Sequence, residues 1–326
     1  MSFLDIYGHE KQILILKQAL AQNRVGHSYL FSGIDATGKK TLALEFAKVV
    51  NCEKSDEIND SCGECPACLK INRNNHPDIF FIEAEGQFIR INAMREIQEQ
   101  MTFKPMEGRR RIFVIDNADK MNDQAANALL KTLEEPSPAN ILILVTAKPY
   151  TLPSTIISRC HHMRFNPLSS DTVAKFLIEH MNMEKENALL LAGLSGGSIG
   201  QALELNKDDV IAYRTQILKL LANTKKSEPL SLLAFASFFG QDKREIKQGF
   251  NILNTCFRDA LVYKETKNDQ MLINQDNSSL IASLASRLSG EQILQNIALV
   301  EKAGETIEQN VNKSLTLETM AFKLHL

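Results

Sequence analysis

Residues 27–50, HSYLFSGIDATGKKTLALEFAKVV, place a short apolar run, a glycine-bounded turn and a helix-forming stretch in direct succession. A strand that passes at once through a tight loop into a helix belongs in a βα unit, where the helix crosses back over a parallel sheet. Three further runs fit that sheet: DIFFIEA (78–84), RIFVID (111–116) and ILILVTA (141–147). They are continuously apolar rather than alternating, as in strands covered on both faces. Helical patterns lie between them, at INAMREIQEQM (91–101) and NDQAANALLKTLEE (122–135). In the second, Asn122 is placed to cap, Pro136 closes the helix, and Ala126, Leu129, Leu130 and Leu133 share one face. The expectation is a three-layer α/β domain over residues 1–166.

The pattern changes near RFNPL (164–168) and is helical from there on. A small helical domain is expected over 167–205, including the glycine-rich GLSGGSIG (193–200). Long amphipathic helices are expected over 206–326, with the polar NQDNSS (274–279) as their clearest break. The formal net charge of −2 excludes a molecule that grips DNA over its whole surface, so any nucleic-acid contact must be local or made by a partner. Charges at Asp5, Glu10, Lys11 and Lys17 interrupt the N-terminus too soon for a signal peptide. No apolar run reaches the ~20 residues of a membrane helix. A cytoplasmic protein without membrane contact is expected.

In such a compartment cysteines read first as metal ligands or core residues. Cys52, Cys62, Cys65 and Cys68 form C-x9-C-x2-C-x2-C, and the two-residue gaps let neighbouring thiolates turn onto one ion. Four thiolates complete a tetrahedral structural zinc site with no open position for chemistry. This module, about 51–77, is inserted between a helix and a strand of the α/β domain. Cys256 lies in an apolar helical stretch and reads as core.

The turn GIDATGKKT (33–41) nearly matches the phosphate-binding pattern G-x-x-x-x-G-K-[ST]. Gly33, Gly38 and Lys39 fit. Lys40 occupies the position of the hydroxyl that holds Mg²⁺, and Thr41 comes one residue late. Shifting the register to Lys40-Thr41 puts Lys39 where the motif needs glycine. The strand IFVID supplies Asp116 as the acid that would hold the metal. Its neighbour Asn117 is no base, and Asp119 is too far along to replace one. These residues leave ATP and Mg²⁺ binding open, count against hydrolysis, and equally suit a turn kept because the fold needs it.

The sequence resembles the AAA+ clamp-loader subunits of bacterial DNA polymerase III, in particular the delta-prime type. The residues that carry the resemblance are GHEKQ (8–12), HSYLFSG with its degenerate loop, the four cysteines, NALLKTLEEPSP (127–138), LPSTIISRC (152–160) and, more weakly, NKSLTLETMAFKL (312–324). Together they span essentially the whole chain. The resemblance implies an AAA+ core with a zinc module, a helical lid and a helical collar. It also implies a hetero-pentameric ring with motor subunits and a delta subunit, which loads a sliding clamp onto primed DNA as part of a DNA-directed DNA polymerase holoenzyme. The ATP-hydrolysing motor (gamma/tau-type) subunits share the zinc module and Ser-Arg-Cys. Three departures separate this chain from them: Lys40 for Ser or Thr, Asn117 for Glu, and Gly200 where the motor carries a sensor arginine. The isolated chain is therefore expected to catalyse nothing. In Ser158-Arg159-Cys160 the resemblance implies that Arg159 is a finger reaching a neighbour's ATP, a task suited to a permanently charged fork of donors.

Two other features read blandly. Arg109, Arg110 and Arg111 suit a solvated turn before a strand, and His161 and His162 point to opposite faces of a strand, so they are no metal pair. An independent zinc-containing P-loop ATPase is the reading from a different class; it requires turnover without partners.

Overall fold

A computed structural model describes residues 2–326 except 56–58, 85, 87, 208, 209, 225, 241 and 310. The chain divides into two compact units, residues 1–176 with 196–201, and residues 177–195 with 202–326.

The first unit is built on a parallel sheet of five strands: β1 (Ser28–Ser32), β2 (Ile79–Ile82), β3 (Arg111–Ile115), β4 (Asn140–Thr146) and β5 (His161–Arg164), in the order β2-β3-β4-β1-β5. The four apolar runs are the first four strands. β5 joins as an edge strand, with Tyr29 opposite His161 and Ser32 opposite Arg164. Successive side chains leave a strand on opposite faces, and this sorts the core into two layers. Tyr29, Phe31, Ile112, Val114, Ile141, Ile143 and Val145 pack with Leu16 of α1 (Glu10–Ala21) and with Leu42 and Phe46 of α2 (Lys39–Asn51). Leu30, Phe113, Ile115, Leu142 and Leu144 pack on the other face, with Met94 and Ile97 of the helix Ile91–Met101 and Ala126, Leu129 and Leu133 of the helix Asp123–Glu134. The Asn122 side chain accepts from the Ala125 amide at 2.8 Å and caps that second helix. The three-layer expectation holds.

The arginine run is not simply a solvated turn. Arg111 is buried, with its Nε 3.1 Å from Oδ1 of the fully buried Asp78. The same carboxylate accepts from the amides of Met106, Glu107 and Gly108, each at 2.8 Å. Desolvation opposes the Asp78 charge, but these amides and Arg111 outweigh it and hold its pKa below the ordinary aspartate value. One carboxylate thus shapes the turn that leads into β3.

The second unit is helical. Its longest helices are Lys243–Thr266 and Gly290–Glu308, which pack on each other. The polar stretch 274–279, read from sequence as a break, is pinned from within. Asn274 is buried and donates to Asp259 at 2.8 Å, and its Oδ1 accepts from Nε of the buried Arg214 at 2.7 Å. Arg214 also forks onto Asp276 at 2.9 and 2.6 Å. Among the described residues no single helix is long and apolar enough to cross a membrane.

Candidate functional site

The loop 33–38 leaves the C-terminal end of β1 and delivers the chain to α2. Both glycines of the motif answer to the backbone. A Cβ on Gly33 would lie 2.2 Å from the Phe165 carbonyl oxygen, and Gly38 has φ 98°, so neither position takes another residue without strain. The fold therefore needs these glycines whether or not a phosphate is bound.

The loop's carbonyls are held by the chain itself. Lys39 is buried, and its Nζ donates to the Gly33 and Ile34 oxygens at 2.7 and 2.5 Å. Ser198 Oγ donates to Asp35 O at 2.8 Å, and the Gly200 amide to Ala36 O at 3.1 Å. His9 Nε2 donates to Thr37 O at 2.7 Å, and burial lowers the His9 pKa, which keeps the ring neutral at pH 7. Gly200 is packed so closely that a Cβ there would meet Ala36 Cβ at 2.4 Å. Position 200 thus has no room for a side chain against the loop.

Lys40 points elsewhere. Its ammonium bonds Glu83, just past the end of β2, and lies 3.3 Å from Asp116 Oδ2 at the end of β3. Burial works against the Lys40 charge, but the two carboxylates outweigh it and raise its pKa above the ordinary lysine value. Hydrogen bonding to Lys40 lowers the Glu83 pKa. Asn117 adopts φ 53° and its amide turns back onto Asp116 Oδ1 at 3.0 Å. Asp119 accepts from the Thr146 hydroxyl at 2.6 Å, at the end of β4. The donor set does not fit Mg-ATP: position 40 offers no oxygen, the Asp116 carboxylate already faces a cation, and position 117 carries no acid.

Arg159 lies at the opposite end of the strands. It follows the short helix Ser154–Ile157 and precedes β5, and its carbonyl accepts from Ser28 Oγ at 2.7 Å, at the first residue of β1. Five strand residues at ~3.3 Å each put ~16 Å between that end of β1 and the loop. Arg159 therefore cannot serve its own loop. Its guanidinium is partly exposed and donates to Glu134 Oε1 at 2.8 Å and to Thr155 O at 3.0 Å. Ser158 Oγ donates to Thr155 O. Burial pushes the Cys160 thiol up to about 11, so it packs rather than reacts.

The four cysteines converge. Their sulfurs all lie within 4.8 Å of one another, with Cys62–Cys68 and Cys65–Cys52 each at 4.0 Å. Tetrahedral zinc with Zn–S ~2.3 Å requires S–S separations of ~3.8 Å. Amides of Cys62, Cys65 and Cys68 point at the sulfurs of Cys52, Cys62 and Cys65 at 3.4, 3.3 and 3.5 Å. Burial pushes the Cys62 thiol up, but the amides of Glu64 and Cys65 outweigh it and bring it down to about 7. The group is able to bind a metal ion. The module is fastened to the core, because Lys48 Nζ of α2, fully buried beside Glu45, bonds Asn72 at 3.0 Å in the helix that carries Cys68. Of the expected module, residues 56–58 lie outside the described residues.

Sequence reasoning missed His9, Glu83 and Glu134 as partners of the loop and of Arg159. The last lies within a motif already singled out, and the first within GHEKQ. Glu83 carried no local signal.

Two family models match the chain, "DNA polymerase III, delta subunit" over residues 8–169 and the C-terminal part of the same subunit over 208–325. DNA polymerase III subunit delta' of Bacillus subtilis is 30% identical over 95% of this chain and 94% of its own length. DNA polymerase III subunit tau of the same organism is 34% identical over 67% of this chain but only 39% of its own length. A gamma subunit-related protein of Thermotoga maritima has a solved structure that is 21% identical, covering 95% of this chain and 97% of that one, with a TM-score of 0.48. With one relative matched over 95% of this chain and 94% of its own length, and a family model over residues 8–169, the chain belongs to the DNA polymerase III clamp-loader subunits.

Proposed function

We propose that this chain is the delta-prime-type subunit of a clamp loader, a member that does not itself turn over ATP and that lends Arg159 to the ATP of a neighbouring motor subunit. The observation that carries this reading is the separation of the two features along β1. Arg159 sits by the N-terminal end of β1 with its head partly exposed, while the loop at the C-terminal end has a lysine in place of the metal-holding hydroxyl. An arginine that cannot reach its own loop acts on another chain's phosphate or on none. The near full-length likeness to a delta' subunit points the same way. In this reading the chain sits in the cytoplasm, in a hetero-pentameric ring with motor and delta subunits. The ring acts on the sliding clamp and primed DNA, and Cys52, Cys62, Cys65 and Cys68 hold a structural zinc ion.

The motor reading is favoured only by the likeness to tau. It needs an oxygen at position 40, an acid at 117 and an arginine at 200, and the chain has Lys, Asn and Gly there. The deciding experiment is steady-state ATP turnover by the purified chain. No turnover is expected; turnover at a motor's rate, abolished by Lys39→Ala, reverses the assignment.

A further inference from the structure

Two carboxylates and one ammonium meet where β2 and β3 end. Lys40 Nζ bonds Glu83 and lies 3.3 Å from Asp116 Oδ2. In a phosphate loop the residue at position 40 supplies the hydroxyl that ligates Mg²⁺, and Asp116 ends the strand beside it. We propose that the Lys40 ammonium is a built-in replacement for the metal: it occupies the cation's place between Glu83 and Asp116 and closes the site to divalent ions.

The chemistry supports this in three ways. A hard dication needs oxygen ligands, and an ammonium offers only N–H donors. The Asp116 oxygen that faces Lys40 is already paired, so an entering Mg²⁺ would have to compete with an ammonium that its own chain keeps beside the site. Lys39 does not compensate, because its ammonium is turned back onto the Gly33 and Ile34 carbonyls. The consequence concerns ligands as well as metals. A polyphosphate entering the loop would meet no metal, and the two lysines beside it are engaged by the chain's own oxygens, so whatever affinity the loop retains is independent of Mg²⁺. This inference rests on reading the loop as non-hydrolysing, but it is tested by metal binding rather than turnover, so the two can fail separately.

The probe is Mn²⁺, followed by electron paramagnetic resonance on the zinc-loaded full chain, since thiolates hold zinc in preference to Mn²⁺. Wild type is expected to bind no more Mn²⁺ than Asp116→Asn. Lys40→Thr, which restores the hydroxyl and removes the ammonium, is expected to gain one Mn²⁺ per chain and to lose it again in the double variant with Asp116→Asn. Lys40→Met removes the ammonium without supplying an oxygen and should bind Mn²⁺ more weakly than Lys40→Thr. In parallel, calorimetric ATP titrations of wild type should give the same result with Mg²⁺ as with a chelator. Asp116-dependent Mn²⁺ binding by wild type, ATP binding strengthened about tenfold or more by Mg²⁺, or no gain of Mn²⁺ by a folded Lys40→Thr would each overturn the proposal.

Discussion

Replacing Arg159 by alanine separates a structural role from a role in trans. The side chain is about one-third exposed, and its partner Glu134 is more than half exposed. Exposed ion pairs of this kind contribute ~0.2–1 kcal/mol. At ~2–4 °C per kcal/mol for a domain of this size, Arg159→Ala should lower the melting temperature by no more than ~4 °C. Zinc content should not change, because the cysteines lie in a separate module. The functional cost works on another scale. An arginine finger contributes ~10³–10⁵ in rate, or ~4–7 kcal/mol of transition-state stabilisation, at the site it serves. The assay is a reconstituted loader with clamp, primed DNA and ATP, in which hydrolysis and clamp loading are followed together. Both should fall while assembly persists. The drop in total hydrolysis will be smaller than the single-site figure, since other sites in the ring keep their own arginines. Arg159→Lys keeps the charge but loses the fork and should rescue poorly. If both variants load clamps at the wild-type rate, Arg159 is a surface cation paired with Glu134, and the proposed role is wrong.

Cys65→Ser should release the metal, visible by elemental analysis, and should also expose the end of α2 to hydrogen exchange, because Lys48 and Asn72 couple the module to that helix. Asp78→Ala strands a buried Arg111 and three amides and should cost ~3–5 kcal/mol in denaturant unfolding. Because Asp78 has a depressed folded pKa, its stabilisation is complete above the unfolded value of ~3.9 and disappears as pH falls through the folded value; Asp78→Asn should flatten the acid limb of the stability profile. Gly200→Arg, which restores the motor's residue, should lower the melting temperature rather than install ATP binding, since its Cβ would collide with Ala36; unchanged stability with new ATP affinity in calorimetry would contradict the packing.

The sheet was legible because β1, β3 and β4 are buried on both faces, which demands unbroken apolar runs, and the half-buried edge strand β2 carries such a run as well. β5 carries two histidines and an arginine in four residues, and is a strand only because β1 offers it a free edge. The four cysteines were legible because their spacing is local. What escaped was every pairing set by topology. Lys40 meets Asp116 across 76 positions of sequence because β3 ends beside α2, and Glu83 joins because β2 is β3's neighbour. Arg111 reads as a solvated cation until Asp78 is seen just before the adjoining strand. The polar run at 274–279 does mark the break between two helices, Lys243–Thr266 and Ser278–Arg287, but its packing was hidden for the same reason: Asn274 is buried against Asp259 and Arg214, residues 15 and 60 positions away.

A parallel sheet has a direction, and here the two ends of its strands are unlike. One end offers an arginine, and the other holds a loop whose carbonyls are already bonded by the chain itself. Copies joined end to end would make a heterologous, head-to-tail contact. In such a contact this chain gives to the neighbour on one side and asks nothing of the neighbour on the other. In the proposed ring it would therefore be the member unlike the others, and would mark one position that identical copies could not define.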